Sequence, residues 1–205
     1  MATITQPAEA EAALATEYPP HRMTIERYEK LAQSGVYGDK EPVFLWRGRL
    51  VEKMTKGRKH SRAGTKLHQR LIGLVPVGWY VEHEQPIEIA DDGMPEPDLA
   101  VIRGSIDDDR DRAASSKKVA LIVEIADSSL AVDSSGVLEA YAREAIPIYW
   151  IVNIPKGWIE VHTEPTGPGD RPSYRERRLY LKDEELPVVV DGHDLGRILV
   201  REILD

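Results

Sequence analysis

The sequence predicts one α/β domain, and three observations carry that expectation. Residues 119–125 form a nearly continuous apolar run broken by one acid, the mark of a strand buried on both faces. A helical pattern over about residues 134–144 follows, and then a second apolar run at 148–153. Strand, helix, strand in that order implies a right-handed parallel crossover. Shorter β-type segments punctuated by Gly, Pro and Asp surround this unit and read as hairpins. With 205 residues the chain fits one core of ordinary size. Neither an internal repeat nor a dividing linker is visible.

Taken in order, residues 1–22 are rich in Ala, Glu and Pro and read as a mobile arm ahead of a single domain over 23–205. Thr24 caps a helix over about 25–34, with Glu26 in its first turn and Gly35 past its end. Residues 43–46 and 49–54 form a hairpin turning at Arg47-Gly48. A second helix spans about 59–74. It places His60, Ala63, Gly64, Leu67, Leu71 and Leu74 on one face, with Lys59, Arg62, Lys66 and Arg70 a quarter turn away. Pro76 and Gly78 end it.

Strands are expected at 79–82, 85–89 and 99–103, with a turn at Asp91-Asp92-Gly93. The polar stretch 104–116 reads as a loop with one helical turn, and 118–126 as the buried strand. In the helix after it Leu138, Tyr141 and Ala142 face inward. Residues 158–162 and 174–181 pair as an antiparallel hairpin across a Pro/Gly-rich loop. The segment 186–205 closes the domain with a short helix near 195–204.

Composition narrows the function classes. Hydrophobic residues are 41% and charged residues 30%, the balance of a soluble globular protein. No apolar run approaches the ~20 residues of a membrane span. No basic segment followed by an apolar core marks a signal peptide, and a cytoplasmic location is expected. Cysteine is absent, which excludes disulfides, thiolate metal sites and a Cys nucleophile. The formal charge of −8 argues against a protein that coats nucleic acid indiscriminately. Yet residues 53–70 hold seven Lys or Arg and no acid. This segment, with Lys56, Arg58, Lys59, Arg62 and Lys66, reads either as a phosphate-facing surface or as a solvated helix face. Neither a nucleophile elbow nor a P-loop is present.

Glu124 is the most informative residue. An unpaired carboxylate inside Leu121-Ile-Val-Glu-Ile would cost several kcal/mol or be protonated. A basic partner or a divalent cation must compensate it. Asp98 follows Pro97 at the start of the next strand back, where a turn-capping role is the plain alternative. If the two strands are adjacent, both carboxylates converge at one end of the sheet. Mg²⁺ typically takes one or two protein carboxylates plus waters, and the Ile125 carbonyl would add a third protein ligand.

These residues resemble the Uma2 group of endonucleases within the PD-(D/E)XK nuclease superfamily. The matching pieces are Gly48-Arg-Leu-Val-Glu52, His60 opening a helix, Glu96-Pro-Asp98-Leu-Ala-Val, Leu121-Ile-Val-Glu124-Ile, the stretch from Asp133 to Tyr141, and Pro147-Ile-Tyr-Trp-Ile-Val-Asn153. Together they cover about residues 23–165. The resemblance implies a restriction-endonuclease-like fold, a mixed β-sheet flanked by helices, with a Mg²⁺ (or Mn²⁺) site. It makes Asp98 and Glu124 metal ligands and sets Glu52 and His60 beside them. The plainer readings are an exposed strand-end acid for Glu52 and a partly buried helix-start histidine for His60. It also implies DNA hydrolysis leaving a 5′-phosphate, and a homodimer, with Trp79, Trp158 or the N-terminal arm as contacts.

One departure stands out. The lysine the superfamily supplies, four residues before the matched tyrosine or two after the Glu, is here Val137 or Ala126. Losing a positioned cation beside a transferring phosphate costs ~10²–10³ in rate. Lys56, Arg58 or Lys59 from the basic segment are the candidates to replace it. The rival expectations are a catalytically degenerate nucleic-acid-binding or regulatory protein on the nuclease fold, and an oligomerisation module in which Glu124 pairs with a basic residue.

Overall fold

The computed structural model describes residues 20–36, 42–53, 55–90, 93–108, 110, 112–127 and 135–205. The expected arm lies almost wholly outside these residues, as do Met54, Asp91-Asp92 of the expected turn, and the start of the Asp133–Tyr141 match.

Helix α1 (Ile25–Gln33) opens with the Thr24 hydroxyl accepting from the Arg27 N–H, as its sequence requires. The hairpin β1 (Val43–Trp46) and β2 (Arg49–Glu52) turns at Arg47-Gly48, where both residues have positive φ. Helix α2 (Arg58–Leu74) buries His60, Ala63, Gly64, Leu67 and Leu71. Gly64 allows the close approach of α2 to the sheet, since a Cβ there would stand 3.3 Å from Ile125 Cδ1.

The central sheet has six strands in the order β10-β9-β8-β7-β5-β3. These are β3 (Trp79–His83), β5 (Leu99–Arg103), β7 (Val119–Ala126), β8 (Ile148–Asn153), β9 (Trp158–Pro165) and β10 (Tyr174–Leu181). Only β7 and β8 run parallel, joined through α3 (Ser135–Arg143); the other pairs are antiparallel. The sheet is therefore mixed, as expected. Leu121, Val123 and Ile125 point to a core filled by α2 and the C-terminal segment. Ile122 and Ala126 point to a second core with Tyr141 and Ala140 of α3. Glu124 shares that second face by the period of two.

Two expectations change. The polar stretch 104–116 contains a two-residue strand, β6 (Ala114–Ser115), parallel to β4 (Ile87–Glu88), and a 3₁₀ turn at Ser116–Lys118 follows it. The C-terminal segment is mainly a hairpin, β11 (Glu185–Val190) with β12 (His193–Leu199), and only Val200–Leu204 is helical (α4). Leu186, Val188 and Val190 alternate inward, and Asp191-Gly192 supplies the two positive-φ positions of a tight turn. None of the helices among the described residues is long and apolar enough to cross a membrane.

Candidate active site

The β5–β7 register pairs Leu99 with Val123. Continued by one residue, it sets Asp98 opposite Glu124, so the carboxylates meet at the end of the sheet as the sequence implied. Continued by two, it sets Pro97 opposite Ile125. The Ile125 N–H points to the β5 side, because it donates to Asp98 Oδ2 at 2.7 Å. In a strand the carbonyl of the same residue points that way too. Pro97 has no N–H to offer it. The Ile125 carbonyl thus lies on the β5 side of β7, beyond the last pair of the ladder.

Asp98 is 4% exposed, so its charge must be met from within the protein. His60, on the first turn of α2, places Nε2 3.0 Å from Asp98 Oδ2. Lys56, just ahead of α2, donates to Asp98 Oδ1 at 2.8 Å. Burial pushes the Asp98 carboxyl upward, but the hydrogen bonds from His60 and Lys56 and the Lys56 charge outweigh it and hold Asp98 below its usual range. Lys56 also reaches Glu84 Oε1 at 3.0 Å. Burial alone would lower the Lys56 ammonium, yet Asp98 and Glu84 raise it above its ordinary value.

Glu124 is the one residue of β7 that is not buried, because it opens into a cavity. Burial of its carboxyl and the neighbouring Asp98 charge push it up to about 8. The Tyr141 hydroxyl donates to Glu124 Oε1 at 2.8 Å and offsets part of that rise. The two carboxylates are thus driven apart: Asp98 is held below its usual range and Glu124 above it.

The cavity holds about 450 Å³. Glu52, Lys53, Lys56, His60, Glu96 and Asp127 line it with the two carboxylates, and Phe44, Trp46 and Tyr149 supply an apolar wall. Glu52 is exposed at the end of β2, on the rim. Lys53 pairs with Glu96 at 2.6 Å. A larger cavity of about 590 Å³ beside α1 and β3 includes none of these carboxylates. Of the basic segment, Lys56 turns into the site, Arg58, Lys59 and Arg62 are exposed, Lys66 is half-buried, and Arg70 pairs with Glu202 at 2.9 Å. Sequence reasoning missed Glu84 and the hydroxyl contact of Tyr141, which it had as an inward-facing residue and as the matched tyrosine of the resemblance.

Residues 25–195 match the family model "Uma2: Putative restriction endonuclease". The chain belongs to the Uma2 family. Its fold is similar to a solved structure described as "a putative nuclease belonging to DUF820" from Anabaena variabilis. The two share 15% identity and superpose with a TM-score of 0.65 over 89% of this chain and 97% of that one. No curated protein matches the chain.

Val137 and Ala126, the two positions at which the resemblance leads one to expect a lysine, both line the cavity of this Uma2 domain. No three His, Asp or Glu side chains cluster as a ready ligand set among the described residues. The fit to Mg²⁺ or Mn²⁺ rests instead on two carboxylates, the Ile125 carbonyl and waters, a donor set of hard oxygens typical of Mg²⁺.

Proposed function

We propose that this Uma2 domain is a cytoplasmic, Mg²⁺- or Mn²⁺-dependent endonuclease that hydrolyses phosphodiester bonds in DNA. The observation that supports it most is the pairing of Asp98 and Glu124 across β5 and β7, with opposite shifts in proton affinity, at the wall of a cavity. A divalent cation held there supplies an activated water and neutralises charge on the phosphate.

The chain's own residues do the rest. Ile125 N–H and His60 fix Asp98, so its carboxylate is preorganised rather than free to rotate. Tyr141 fixes Glu124, whose proton must leave before it can act as a ligand. As the water oxygen bonds to phosphorus it gives up one proton to solvent, the P–O3′ bond breaks, and the leaving 3′ oxygen takes a proton from solvent, which leaves a 3′-hydroxyl and a 5′-phosphate. Arg58, Lys59 and Arg62 on the exposed flank of α2, with Lys66 beside them, hold the DNA backbone by sequence-independent contacts. Two strands need two sites, and the proposal includes a homodimer. Trp79 and Trp158 are weak candidates for its contacts, since Arg103 and Lys156 stack over their rings at 4.8 and 5.3 Å.

The apolar Val137 and Ala126 at the cavity wall favour a second reading, a degenerate nuclease fold that binds nucleic acid without cleaving it. Plasmid nicking separates the two. Supercoiled plasmid with Mg²⁺ or Mn²⁺ is converted to open circles by the wild type and not by Asp98→Ala if the domain cleaves. If folded, metal-bound wild type leaves the plasmid intact, the endonuclease reading falls and the binding reading takes its place.

A further inference from the structure

A transferring phosphoryl group needs positive charge near its oxygens, and the cavity distributes its cations unevenly. Lys53 lines the same cavity but is committed to Glu96 at 2.6 Å. His60 is buried and bound to Asp98 Oδ2. Lys56 differs from both: its ammonium bridges Asp98 Oδ1 at 2.8 Å and Glu84 Oε1 at 3.0 Å. It stands on the carboxylate oxygen that a divalent cation would take.

Glu84 is built to keep its half of the bridge. It follows β3 with φ 55, an unusual conformation for a glutamate, and its N–H donates to the Asp98 carbonyl at 3.2 Å. Lys56 therefore has a second anchor that does not depend on Asp98.

We propose that Lys56 is a resident counter-cation that a divalent ion displaces from Asp98, and that the displaced ammonium, still tethered by Glu84, becomes the group that contacts the scissile phosphate. The displacement stands on the bridge itself; the phosphate contact rests on the nuclease reading above. In this arrangement the cation reaches the cavity from the segment before α2, and the apolar Val137 and Ala126 are no obstacle to catalysis. The same side chain opposes metal binding and assists cleavage, so its removal moves the two in opposite directions.

The test uses the full chain and Lys56→Met, which keeps the length of the side chain and removes its charge. Mn²⁺ binding followed by electron paramagnetic resonance is expected to tighten about tenfold, the effect of removing one cation at contact distance from a ligand. Plasmid nicking with saturating Mn²⁺ is expected to fall about 100-fold, and Val137→Lys in the Lys56→Met background to restore part of it. Unchanged or weaker Mn²⁺ binding in a folded Lys56→Met protein overturns the displacement. Tighter binding with undiminished nicking overturns the phosphate contact and leaves the nuclease reading standing. If the wild type itself does not nick, the nuclease reading and the phosphate contact fall together, and the Mn²⁺ titration still decides the displacement.

Discussion

Two regions of this sheet hold a carboxylate against a histidine and a cation, and they behave differently. At the β5–β7 end, Asp98 meets His60 and Lys56. At the β9–β10 end, Glu160 meets His162 at 2.7 Å and the Arg177 guanidinium, whose second nitrogen donates at 2.7 Å. Burial pushes both carboxylates upward and the basic partners more than offset it, so both lie below their usual range. Burial likewise lowers the His162 ring despite Glu160. What separates the regions is Glu124. At Glu160 the planar fork of Arg177 satisfies the acid, and neither Glu160 nor His162 lines any of the larger cavities. The Asp98 group has a second carboxylate one strand away, opening into a cavity and raised to about 8 by its burial and by the Asp98 charge beside it. A buried acid with a histidine and a cation is a structural motif; beside Asp98 a second acid, itself buried and next to that charge, is held above its ordinary range.

The largest effect that sharpens this contrast is on cleavage. Asp98→Ala is expected to reduce plasmid nicking by about 10³-fold or more, since metal-assisted catalysis supplies several kcal/mol. Glu160→Gln is expected to leave nicking within about twofold at a temperature where the protein is folded. Equal losses in both variants would erase the distinction.

Stability against pH separates the two regions by sign. Glu124 in the folded protein lies above its ordinary 4.5, at about 8. The folded state binds the extra proton in that window, so stability falls as pH rises from about 4.5 to 8. Glu160 is shifted downward, so its contribution is present above the ordinary value and lost as pH falls through the folded one. Without added metal, Glu124→Gln is expected to stabilise the protein by about 1–2 kcal/mol at pH 8 and to flatten the decline. Glu160→Gln is expected to cost about 1 kcal/mol at pH 7, since the amide keeps one acceptor oxygen but loses the charge and the second acceptor that meet the Arg177 fork. Chemical denaturation at pH 5, 7 and 8.5 reads both; a destabilised Glu124→Gln at pH 8.5 contradicts the assignment.

Smaller effects follow on the flanks. Tyr141→Phe removes the hydroxyl from Glu124 Oε1 and is expected to weaken Mn²⁺ binding by about three- to tenfold, the worth of one hydrogen bond to a charged group. Ala at Arg58, Lys59 or Arg62 is expected to weaken DNA binding uniformly across sequences and to reduce the salt dependence by about one ion each, read by titrations at several salt concentrations.

Much of this was legible in the sequence because periodicity and burial are local properties. The inward face of α2 follows from the spacing of Ala63, Leu67 and Leu71. The significance of Glu124 follows from one acid in an apolar strand, and Asp98 becomes its partner only through the adjacency of β5 and β7, which the sequence left as a condition. Lys56 could be named as a candidate but not placed, because the turn of the chain before α2 that aims it at Asp98 is tertiary. Glu84 left no signal, since its role depends on a positive-φ conformation that its side chain does not favour. The C-terminal hairpin was the avoidable miss: Leu186, Val188 and Val190 before Asp191-Gly192 is a period-two pattern with its turn attached.

The most direct test of the Asp98–Glu124 site is Mn²⁺ titration of the purified full chain, read by electron paramagnetic resonance, for the wild type, Asp98→Asn, Glu124→Gln and Glu160→Gln. A wild-type site lost in Asp98→Asn and Glu124→Gln but kept in Glu160→Gln is the predicted result, with affinity rising with pH as Glu124 sheds its proton. Wild-type affinity retained in a folded Glu124→Gln protein would contradict the site.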